Sequence, residues 1–275
     1  MRCDACGTAS TYPAPDDAEL ERAYGGWYRP GSGRFAGGGD RVLRRARAAL
    51  AVRVDHRAPR GPVLDVGCGD GVLLDALRAR GREAVGLERA SVRADVRACE
   101  LADFDERRGE WAAVVMWHSL EHLREPAAGV DRAHELLAPG GLLVLALPNL
   151  DSWQSRVFGD RWLALDLPRH LVHLPAHALL SGLRSRGFAV ERVSHWRGGQ
   201  VVFGWLHGLV GALPGHPDLY AAIRRPAARA RRQSPFERSL ALTAGVVLLP
   251  LAAALAGAEV ATGAGGSVCV EARRG

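Results

Sequence analysis

The chain has 275 residues, 48% hydrophobic and 24% charged, which is the composition of a folded globular protein. Its formal net charge is +6 and it contains no lysine, which excludes Schiff-base chemistry, P-loop nucleotide hydrolysis and kinase chemistry. The five cysteines lack the regular spacing of a disulfide framework and the N-terminus lacks the apolar stretch of a signal peptide, so we expect a cytoplasmic protein.

Residues 1–58 are predicted to form a loop-rich lead-in that ends in an arginine-rich helix. Cys3 and Cys6, spaced as C-x-x-C, supply only half of a tetrahedral zinc site, and no second pair follows. We therefore expect no bound metal and interpret the pair as a remnant half-site. Asp40 is the predicted N-cap of the helix, which should run to about residue 55.

From residue 63 onward, short apolar runs alternate with amphipathic segments. Strands are predicted at 63–66, 84–87, 112–117, 141–147, 188–194 and 267–272, and helices at 72–80, at 126–137 and near 176–186, with a polar connection at 151–175. Strands that alternate with helices of this length indicate βαβ units. The predicted fold is a Rossmann-like, doubly wound α/β domain with a mainly parallel sheet and an antiparallel last strand. Residues 59–197 and 265–275 would form it.

The most informative segment is a glycine-rich turn between the first of these strands and the following helix. It contains Gly67, Gly69 and Gly71, and its third glycine comes one residue earlier than in the dinucleotide-binding fingerprint. Glycines permit a sharp turn and let a ligand approach the backbone. Asp65, two residues before the turn, suits a cationic or hydroxyl-bearing ligand better than a pyrophosphate. Glu88, at the end of the second strand, can accept both hydroxyls of a ribose.

These segments resemble the class I S-adenosylmethionine-dependent methyltransferases, and in particular their type 23 branch. DVGCGDG at 65–71 is similar to the family's motif I, WAAVVMWHSLEHL at 111–123 to its fourth-strand motif, LAPGG at 137–141 to LxPGG, and GDRWLALDLPRH at 159–170 and GGS at 265–267 to two later motifs. The likeness covers most of the chain, with Trp111 and Ala112 in place of the usual Phe-Asp. It implies an enzyme that binds S-adenosylmethionine and transfers its methyl group.

The resemblance also assigns cofactor-binding residues. Asp65 and the turn would hold the methionine part and Glu88 the ribose, while Trp117 and His118 would line the site. The acid beside the adenine stays open between Glu100, which has the better spacing, and Asp103, which has the more usual residue type. The turn residues in this set are Gly67, Cys68, Gly69 and Gly71, with Cys68 tolerated as a small side chain.

For the acceptor, the resemblance implies a small or lipid-like molecule, methylated on oxygen in preference to nitrogen or carbon. The predicted acceptor residues are Trp162, Asp166, Arg169 and His170. Candidate catalytic residues are His118, His170 and Asp166, since a base helps to remove a hydroxyl proton. In the alternative interpretation, Arg169 and His170 form a structural pair and His118 packs against the cofactor. His173 and His177 are expected to be structural residues on the surface.

Two further function classes compete with the methyltransferase. His118, Glu121 and His122 match the H-x-x-E-H pattern of a zinc protease, in which two histidines on one helix face bind zinc. A non-catalytic S-adenosylmethionine-binding scaffold at a membrane is the other class. Nucleic acid is not expected as a partner, because the arginines are not interleaved with aromatic residues.

Residues 198–264 form a predicted hydrophobic helical insertion before the last strand. Residues 239–258 are twenty uncharged residues, enough to cross a bilayer. If strands 188–194 and 267–272 share one sheet, a single span is excluded, and a two-span hairpin would conflict with the positive-inside rule. The insertion is therefore either a lid over the active site or a hairpin on the inner membrane face. In the second case its arginines would contact anionic headgroups: Arg224, Arg225, Arg229, Arg231, Arg232 and Arg238.

Overall fold

The computed structural model describes residues 1–25, 33–89, 93–197, 199–230 and 232–275, so Arg231 lies outside the described residues. The described chain divides into two units, each with its own internal packing. We call them the helical unit and the sheet unit. The helical unit consists of Met1–Val42, Pro148–Pro175 and His195–Val268, and the sheet unit of Leu43–Leu147, Ala176–Ser194 and Cys269–Gly275.

Strands and helices alternate through the middle of the chain. The strands are β1 (Ala9–Ser10), β2 (Val63–Val66), β3 (Ala84–Glu88), β4 (Val96–Ala98), β5 (Trp111–Trp117), β6 (Leu137–Pro148), β7 (Val172–His173), β8 (Phe188–Ser194) and β9 (Ser267–Arg274). The helices are α1 (Asp17–Ala23), α2 (Gly39–Arg57), α3 (Val72–Arg78), α4 (Pro126–Leu136), α5 (Trp153–Phe158), α6 (Ala176–Ser185), α7 (Gly199–Gly211), α8 (Leu219–Ile223) and α9 (Pro235–Ala261). Short 3-10 turns include Leu101–Asp103 and Leu120–His122.

The main sheet has seven strands in the order β4-β3-β2-β5-β6-β9-β8. The pairs β2–β3, β2–β5, β3–β4 and β5–β6 are parallel, and β8 pairs antiparallel with β9. The predicted Rossmann-like fold with a mainly parallel sheet and antiparallel final strands is thereby confirmed. β8 and β9, which flank the insertion, are neighbours in this sheet. A single membrane span of the insertion is therefore excluded, as expected from the sequence.

The central strands are buried along almost their whole length because helices cover the sheet, and Asp65 is the only ionisable residue of β2. All four residues of β2 are buried, and so are the first six of β5. Parallel strands buried on both faces appear in a sequence as continuous apolar runs instead of alternating patterns. Leu50 and Val54 of α2, together with Leu74 and Leu77 of α3, belong to the core cluster that packs against these strands.

Two predicted boundaries differ from the structure. β6 begins at Leu137 instead of residue 141, since Leu137 already pairs with Trp111 before the register shifts and Ala113 pairs with Leu142. Residues 138–141 therefore form an irregularity inside the strand. Asp40 does not cap α2 as predicted. The helix already begins at Gly39, and the Asp40 carboxylate accepts the amide protons of Arg34 and Phe35, which precede the helix.

The polar connection at 151–175 contains more regular structure than the sequence indicates. It includes the short helix α5 and the strand β7, which pairs antiparallel with β1 near the N-terminus. Strand pairs of two residues give no sequence pattern long enough to recognise. His173 lies in β7 and is buried, so its predicted surface position is wrong, whereas His177 is exposed on α6 as expected.

The helices of the insertion pack with α5 inside the helical unit. The buried carboxylate of Glu259 on α9 accepts hydrogen bonds from the Gln154 side chain at 2.9 Å and from Trp205 Nε1 at 2.9 Å. The amide of Trp153 also donates to the carbonyl of Ala264. These contacts place residues 148–175 with the insertion, whereas the predicted domain boundaries placed them in the methyltransferase core.

Candidate active site

The candidate cofactor site lies at the carboxyl ends of three adjacent parallel strands of the sheet unit. The glycine-rich turn follows β2, Glu88 ends β3, and His118 follows β5. Since β2 pairs with both β3 and β5, these segments meet at one edge of the sheet. Ligands of open α/β sheets bind at this edge. The structure therefore brings together Asp65, Glu88 and His118, as the sequence predicted.

The glycine-rich turn depends on backbone conformations that favour glycine. Gly67, Gly69 and Gly71 have φ of 74°, 60° and 73°. At Gly67 an added Cβ would lie 2.8 Å from the Cβ of Ser119, so the turn and the segment after β5 approach more closely than any side chain would permit. The turn thus forms an open backbone surface beside β5.

The amide groups of the turn are engaged within the protein. Those of Gly67 and Cys68 donate to the carbonyl of Leu87 at 2.9 and 3.0 Å, and that of Gly71 donates to the carbonyl of Cys68. The Gly69 amide donates to the Glu88 carboxylate at 2.9 Å. These bonds give the turn a defined shape and fix Glu88, and the expected role of the turn in holding the methionine part stays a prediction.

Asp65 is a buried carboxyl group whose environment fits a cationic ligand. It is 3% exposed, and no described residue donates a hydrogen bond to its side chain. Burial raises its pKa from 3.8 to about 7, Arg47 opposes this rise, and the nearby Glu88 adds to it. An ammonium group such as that of a methionine moiety would stabilise the ionised form, so Asp65 fits the cofactor predicted from the sequence.

Glu88 is held at the end of β3 by backbone donors. Its Oε2 accepts the amide of Gly69 at 2.9 Å and its Oε1 accepts the amide of Arg89 at 3.3 Å. These two bonds fix the carboxylate at the carboxyl end of β3, beside the glycine-rich turn. The anchored carboxylate fits the predicted contact with two ribose hydroxyls.

Arg47 is a site residue that was not predicted from the sequence. It lies on α2, lowers the pKa of Asp65 by its positive charge, and its guanidinium lies 5.7 Å from the ring centroid of Trp117. Arg53, further along α2, lies at the same distance from that ring. The only signal was the arginine-rich character of the helix, which does not distinguish an arginine that faces the sheet from one in solvent.

The structure does not single out a role in cofactor binding for three of the predicted residues. Glu100 is exposed and paired with Arg89 at 3.0 Å, and Asp103 is exposed at the end of a 3-10 turn, so the choice of adenine-side acid stays open. Cys68 packs against the core, where its Sγ would lie 2.6 Å from a Cβ added at Gly86. This contact agrees with its interpretation as a tolerated small side chain.

His118 and Glu121 form a hydrogen-bonded pair directly after β5. His118 has a positive φ of 58°, and its Nδ1 lies 2.9 Å from Oε1 of Glu121, which is 1% exposed. A carboxylate only accepts, so Nδ1 carries the proton and Nε2 is the basic nitrogen of the neutral ring. Residues 120–122 form a single 3-10 turn, so His118 and His122 do not share a helix face. The zinc-protease interpretation is therefore wrong.

The predicted acceptor residues form a connected cluster within the helical unit. Asp166, with a φ of 40°, accepts hydrogen bonds from Nε and Nη2 of Arg169, and its Oδ2 lies 3.7 Å from Nε2 of His170. His170 Nδ1 donates to the carbonyl of Ala164 at 2.8 Å. Trp162, 4% exposed, lies four residues before Asp166. The structural pairing of Arg169 and the acceptor role are both compatible with this arrangement.

The N-terminal segment forms hydrogen bonds with two histidines of the helical unit and within its own C-x-x-C turn. Thr11 donates its hydroxyl to the carbonyl of His170 at 2.7 Å and lies 3.4 Å from Nε2 of His173. The Gly7 amide donates to the carbonyl of Cys3, which closes the C-x-x-C turn, and a hydrogen bond with Thr8 lowers the pKa of Cys6. The interpretation of Cys3 and Cys6 as half of a metal site stays a prediction.

Known structures share this architecture. The fold matches the [4+2]-cyclase SpnF with a TM-score of 0.57 and 19% identity, over 95% of this chain and 97% of that one. It matches a SAM-dependent methyltransferase from Archaeoglobus fulgidus with a TM-score of 0.53 and 15% identity, over 84% and 94%. At these identities the likeness shows the fold.

Sequence relatives are closer. The chain is 30% identical over 172 residues to a ubiquinone biosynthesis O-methyltransferase of Xylella fastidiosa, covering 53% of this chain and 70% of the relative. It is 31% identical over 169 residues to a protein of the same name from Xanthomonas campestris pv. campestris, covering 52% and 71%.

A family model provides the most direct assignment. Residues 36–193, more than half of the chain, match a methyltransferase domain of type 23. The match includes the glycine-rich turn, Glu88 and the segment after β5, and it ends before the hydrophobic insertion. The cofactor of this fold and family is S-adenosylmethionine, which fits the buried Asp65 and the anchored Glu88. The chain belongs to the type 23 branch of the class I S-adenosylmethionine-dependent methyltransferases.

Proposed function

We propose that this enzyme transfers a methyl group to a hydroxyl oxygen of a small, lipid-like acceptor. The observation that carries the proposal is the His118–Glu121 pair at the edge of the sheet where the cofactor residues meet. A nearby base is useful to an O-methyltransferase, because a hydroxyl must lose its proton on methylation. The relatives named for O-methylation in the biosynthesis of ubiquinone, a lipid, support the same chemistry and acceptor class.

In this proposal the sheet unit supplies cofactor binding. Asp65 would bind the ammonium of the methionine part, Arg47 would compensate the charge of Asp65, and Glu88 would bind the ribose. The bound cofactor supplies a methyl group on a positively charged sulfur, which needs alignment more than activation. The protein therefore accelerates the reaction chiefly by holding the acceptor oxygen in line and excluding water.

His118 is the proposed general base. Its Nε2 accepts the hydroxyl proton of the acceptor as the oxygen attacks, and the buried Glu121 carboxylate stabilises the imidazolium that results. Positioned bases of this kind contribute about 10²- to 10⁴-fold to the rate. Glu121 acts through His118 and is a positioning residue, a role that its sequence context did not indicate.

The Asp166–Arg169–His170 cluster is the proposed acceptor-recognition element of the helical unit. Asp166 fixes the Arg169 guanidinium through two hydrogen bonds, and His170 directs Nε2 toward the same carboxylate. A guanidinium held in this way can recognise a carboxylate or a hydroxyl on an otherwise apolar acceptor. Variants at Arg169 would therefore change the acceptor KM more than the affinity for the cofactor.

Methyl transfer from labelled S-adenosylmethionine tests the proposed function. The full chain is incubated with phenols and catechols that carry apolar chains of increasing length, and the organic phase is assayed for label. Boron tribromide then releases the label from aryl methyl ethers and not from N-methyl or C-methyl groups. Transfer that increases with chain length and is released by the reagent supports the proposal.

The same assay distinguishes the competing outcomes. Labelled product that resists ether cleavage would replace O-methylation with N- or C-methylation. Calorimetric binding of S-adenosylmethionine without transfer to any member of a lysate lipid extract would favour the non-catalytic scaffold. His118→Asn serves as the matched control, since it should bind the cofactor while losing most of the transfer.

A further inference from the structure

The solvent-facing side of α9 carries large apolar side chains from Phe236 to Leu251 and only small residues beyond. Phe236, Val246 and Val247 are 76%, 75% and 71% exposed. The other large apolar side chains exposed on this helix are Leu240, Leu242, Leu249 and Leu251. Beyond Arg238 the only ionisable residue of α9 is Glu259, which is buried, so no charge interrupts this face. Large continuous apolar patches are uncommon on soluble proteins and mark interaction surfaces.

The opposite side of α9 is fixed against the other helices of the helical unit. Its small residues pack there, and a Cβ added at Gly245 would lie 3.1 Å from the Leu219 side chain. Glu259 accepts three hydrogen bonds, from Trp205 Nε1 and from the backbone and side-chain nitrogens of Gln154. Rotating α9 to hide its apolar face would break these buried bonds, so the face stays outward.

The apolar face is wide as well as long. At 100° per residue, the exposed positions from Phe236 to Ala261 cover about 200° of the helix circumference. Only 22% of the most apolar 18-residue stretch is buried, which argues against a lid buried on the protein. A partner helix contacts a narrow stripe, whereas a fluid apolar phase covers half a cylinder. The width therefore fits a lipid surface better than a second copy of the chain.

The orientation of α9 relative to a bilayer follows from the ends of the insertion. By length and composition alone α9 could cross a bilayer. However, His195 and Gly265, which flank the insertion, are adjacent: a Cβ added at Gly265 would lie 2.7 Å from the His195 carbonyl oxygen. The other long helix, α7, has 13 residues, which span about 20 Å and cannot return across the hydrocarbon core. A single crossing of the bilayer is therefore excluded, and contact with a membrane would place α9 along its surface.

Positive charge is concentrated where α9 begins. Residues 224–238, which we call the arginine segment, contain six arginines and a single acid, Glu237. Arg225 and Arg232 are exposed, whereas Arg224 is buried over the ring of Tyr220. Exposed arginines beside an apolar face complement anionic lipid headgroups, each with an affinity gain of about fivefold.

We propose that α9 is a membrane-docking helix that lies in the plane of an anionic lipid surface. Its apolar face enters the boundary between headgroups and acyl chains, and the arginine segment contacts the headgroups. The surface lies outside the residues that match the methyltransferase family. The proposal stands on contacts of the helical unit and does not require methyl transfer.

Vesicle flotation of the full chain tests the docking surface. We expect binding to phosphatidylcholine vesicles that contain about a third phosphatidylglycerol, and markedly weaker binding to pure phosphatidylcholine. Val246→Asp combined with Val247→Asp should weaken binding at least about tenfold, because two charges would enter the apolar boundary. The matched control is Val42→Asp on α2. The side chain of Val42 is 65% exposed, and this variant should bind the vesicles like the wild type.

Further variants and readouts separate the components of the proposal. Arg232→Gln should weaken binding to the anionic vesicles about fivefold and leave the weak binding to pure phosphatidylcholine unchanged. Methylation of a water-soluble acceptor by Val246→Asp/Val247→Asp should equal that of the wild type, so lost docking is distinguishable from lost catalysis. Unchanged flotation of this double variant would overturn the proposal. A dimer in sedimentation experiments that the double variant dissociates would also overturn it, by assigning the face to a second copy.

Discussion

Nδ1 of His118 lies 2.9 Å from the carboxylate of Glu121, three residues later, and the carboxylate is almost completely buried. The pair fixes the tautomer of the ring and directs its basic nitrogen away from Glu121. His118→Asn should lower kcat about 10²- to 10⁴-fold while S-adenosylmethionine binding by calorimetry changes little.

Glu121→Gln tests the positioning role separately from the base itself. The amide can still accept from Nδ1 but no longer stabilises an imidazolium, so we expect a kcat reduced about tenfold or more with a similar KM. The pH dependence of kcat should also shift, because the variant no longer stabilises the protonated ring of His118. Equal pH profiles for Glu121→Gln and the wild type would assign Glu121 a merely structural role.

Asp65 makes cofactor binding and stability depend on pH in opposite directions. Burial raises its pKa from 3.8 to about 7, so the folded state holds the proton more tightly than the unfolded state. The stability that this proton contributes is complete below pH 3.8 and is lost as the pH rises to about 7, a difference of about 4 kcal/mol for this group. Asp65→Asn should remove this component from urea unfolding measured across that range.

Binding of a cationic ligand requires the ionised form of Asp65. Below pH 7 the cofactor must therefore displace a proton, and its affinity should rise by up to about tenfold per pH unit before levelling off near pH 7. Calorimetry at about pH 6 in two buffers of different ionisation enthalpy should show release of up to about one proton per site. Identical heats in both buffers would mean that Asp65 is already ionised in the free enzyme.

Arg47 and Arg53 offer a matched comparison for the same site. Both lie 5.7 Å from the Trp117 ring, but Arg47 lowers the pKa of Asp65, whereas Arg53 is paired with Glu271 at 3.0 Å. Arg47→Gln should move the midpoint of the pH-dependent cofactor affinity upward and weaken binding at neutral pH about tenfold. Arg53→Gln should leave the midpoint in place. A midpoint that moves equally in both variants would contradict the specific role of Arg47.

Gly67→Ala should destabilise the sheet unit by two separable effects. The residue has a positive φ of 74°, which costs a side chain about 1–2 kcal/mol, and the new Cβ would lie 2.8 Å from that of Ser119. Gly81→Ala is the control for the first effect alone, because Gly81 has a φ of 77° and no atom within 4 Å of an added Cβ. Thermal unfolding should therefore show a larger loss of stability for Gly67→Ala than for Gly81→Ala.

The contact with Ser119 can be relieved independently. Ser119→Gly in the Gly67→Ala background should restore part of the lost stability and leave the cost of the positive φ. If Gly67→Ala and Gly81→Ala lose the same stability, the close approach to Ser119 contributes nothing.

Glu259 should be among the residues most important for the stability of the helical unit. Its buried carboxylate accepts three hydrogen bonds, and glutamine can satisfy only part of this set, so Glu259→Gln should cost about 2–4 kcal/mol in urea unfolding. Trp205→Phe removes one donor and should cost about 1–2 kcal/mol. The exposed Glu125→Gln is the control, with a change below about 0.5 kcal/mol. Equal losses for Glu259→Gln and Glu125→Gln would contradict this assignment.

The sequence by itself determined the fold class and the centre of the cofactor site. Buried parallel strands produce mainly apolar runs, so β2 is correct to the residue and β3 and β5 to within one residue at an end. The antiparallel edge strand β8 is also correct to the residue. The glycine-rich turn and Glu88 were recognisable because short local segments, each with its own backbone requirement, carry the chemistry.

Only the tertiary structure decided how residues distant in sequence act on one another. The ionisation of Asp65 depends on its burial and on Arg47, eighteen positions earlier, and the partner of Glu259 is a glutamine more than a hundred residues away. The orientation of α9 is also a tertiary property. Its sequence is apolar all round, so no periodicity distinguishes the side that packs from the side that faces solvent, and only contacts such as that between Gly245 and Leu219 fix it.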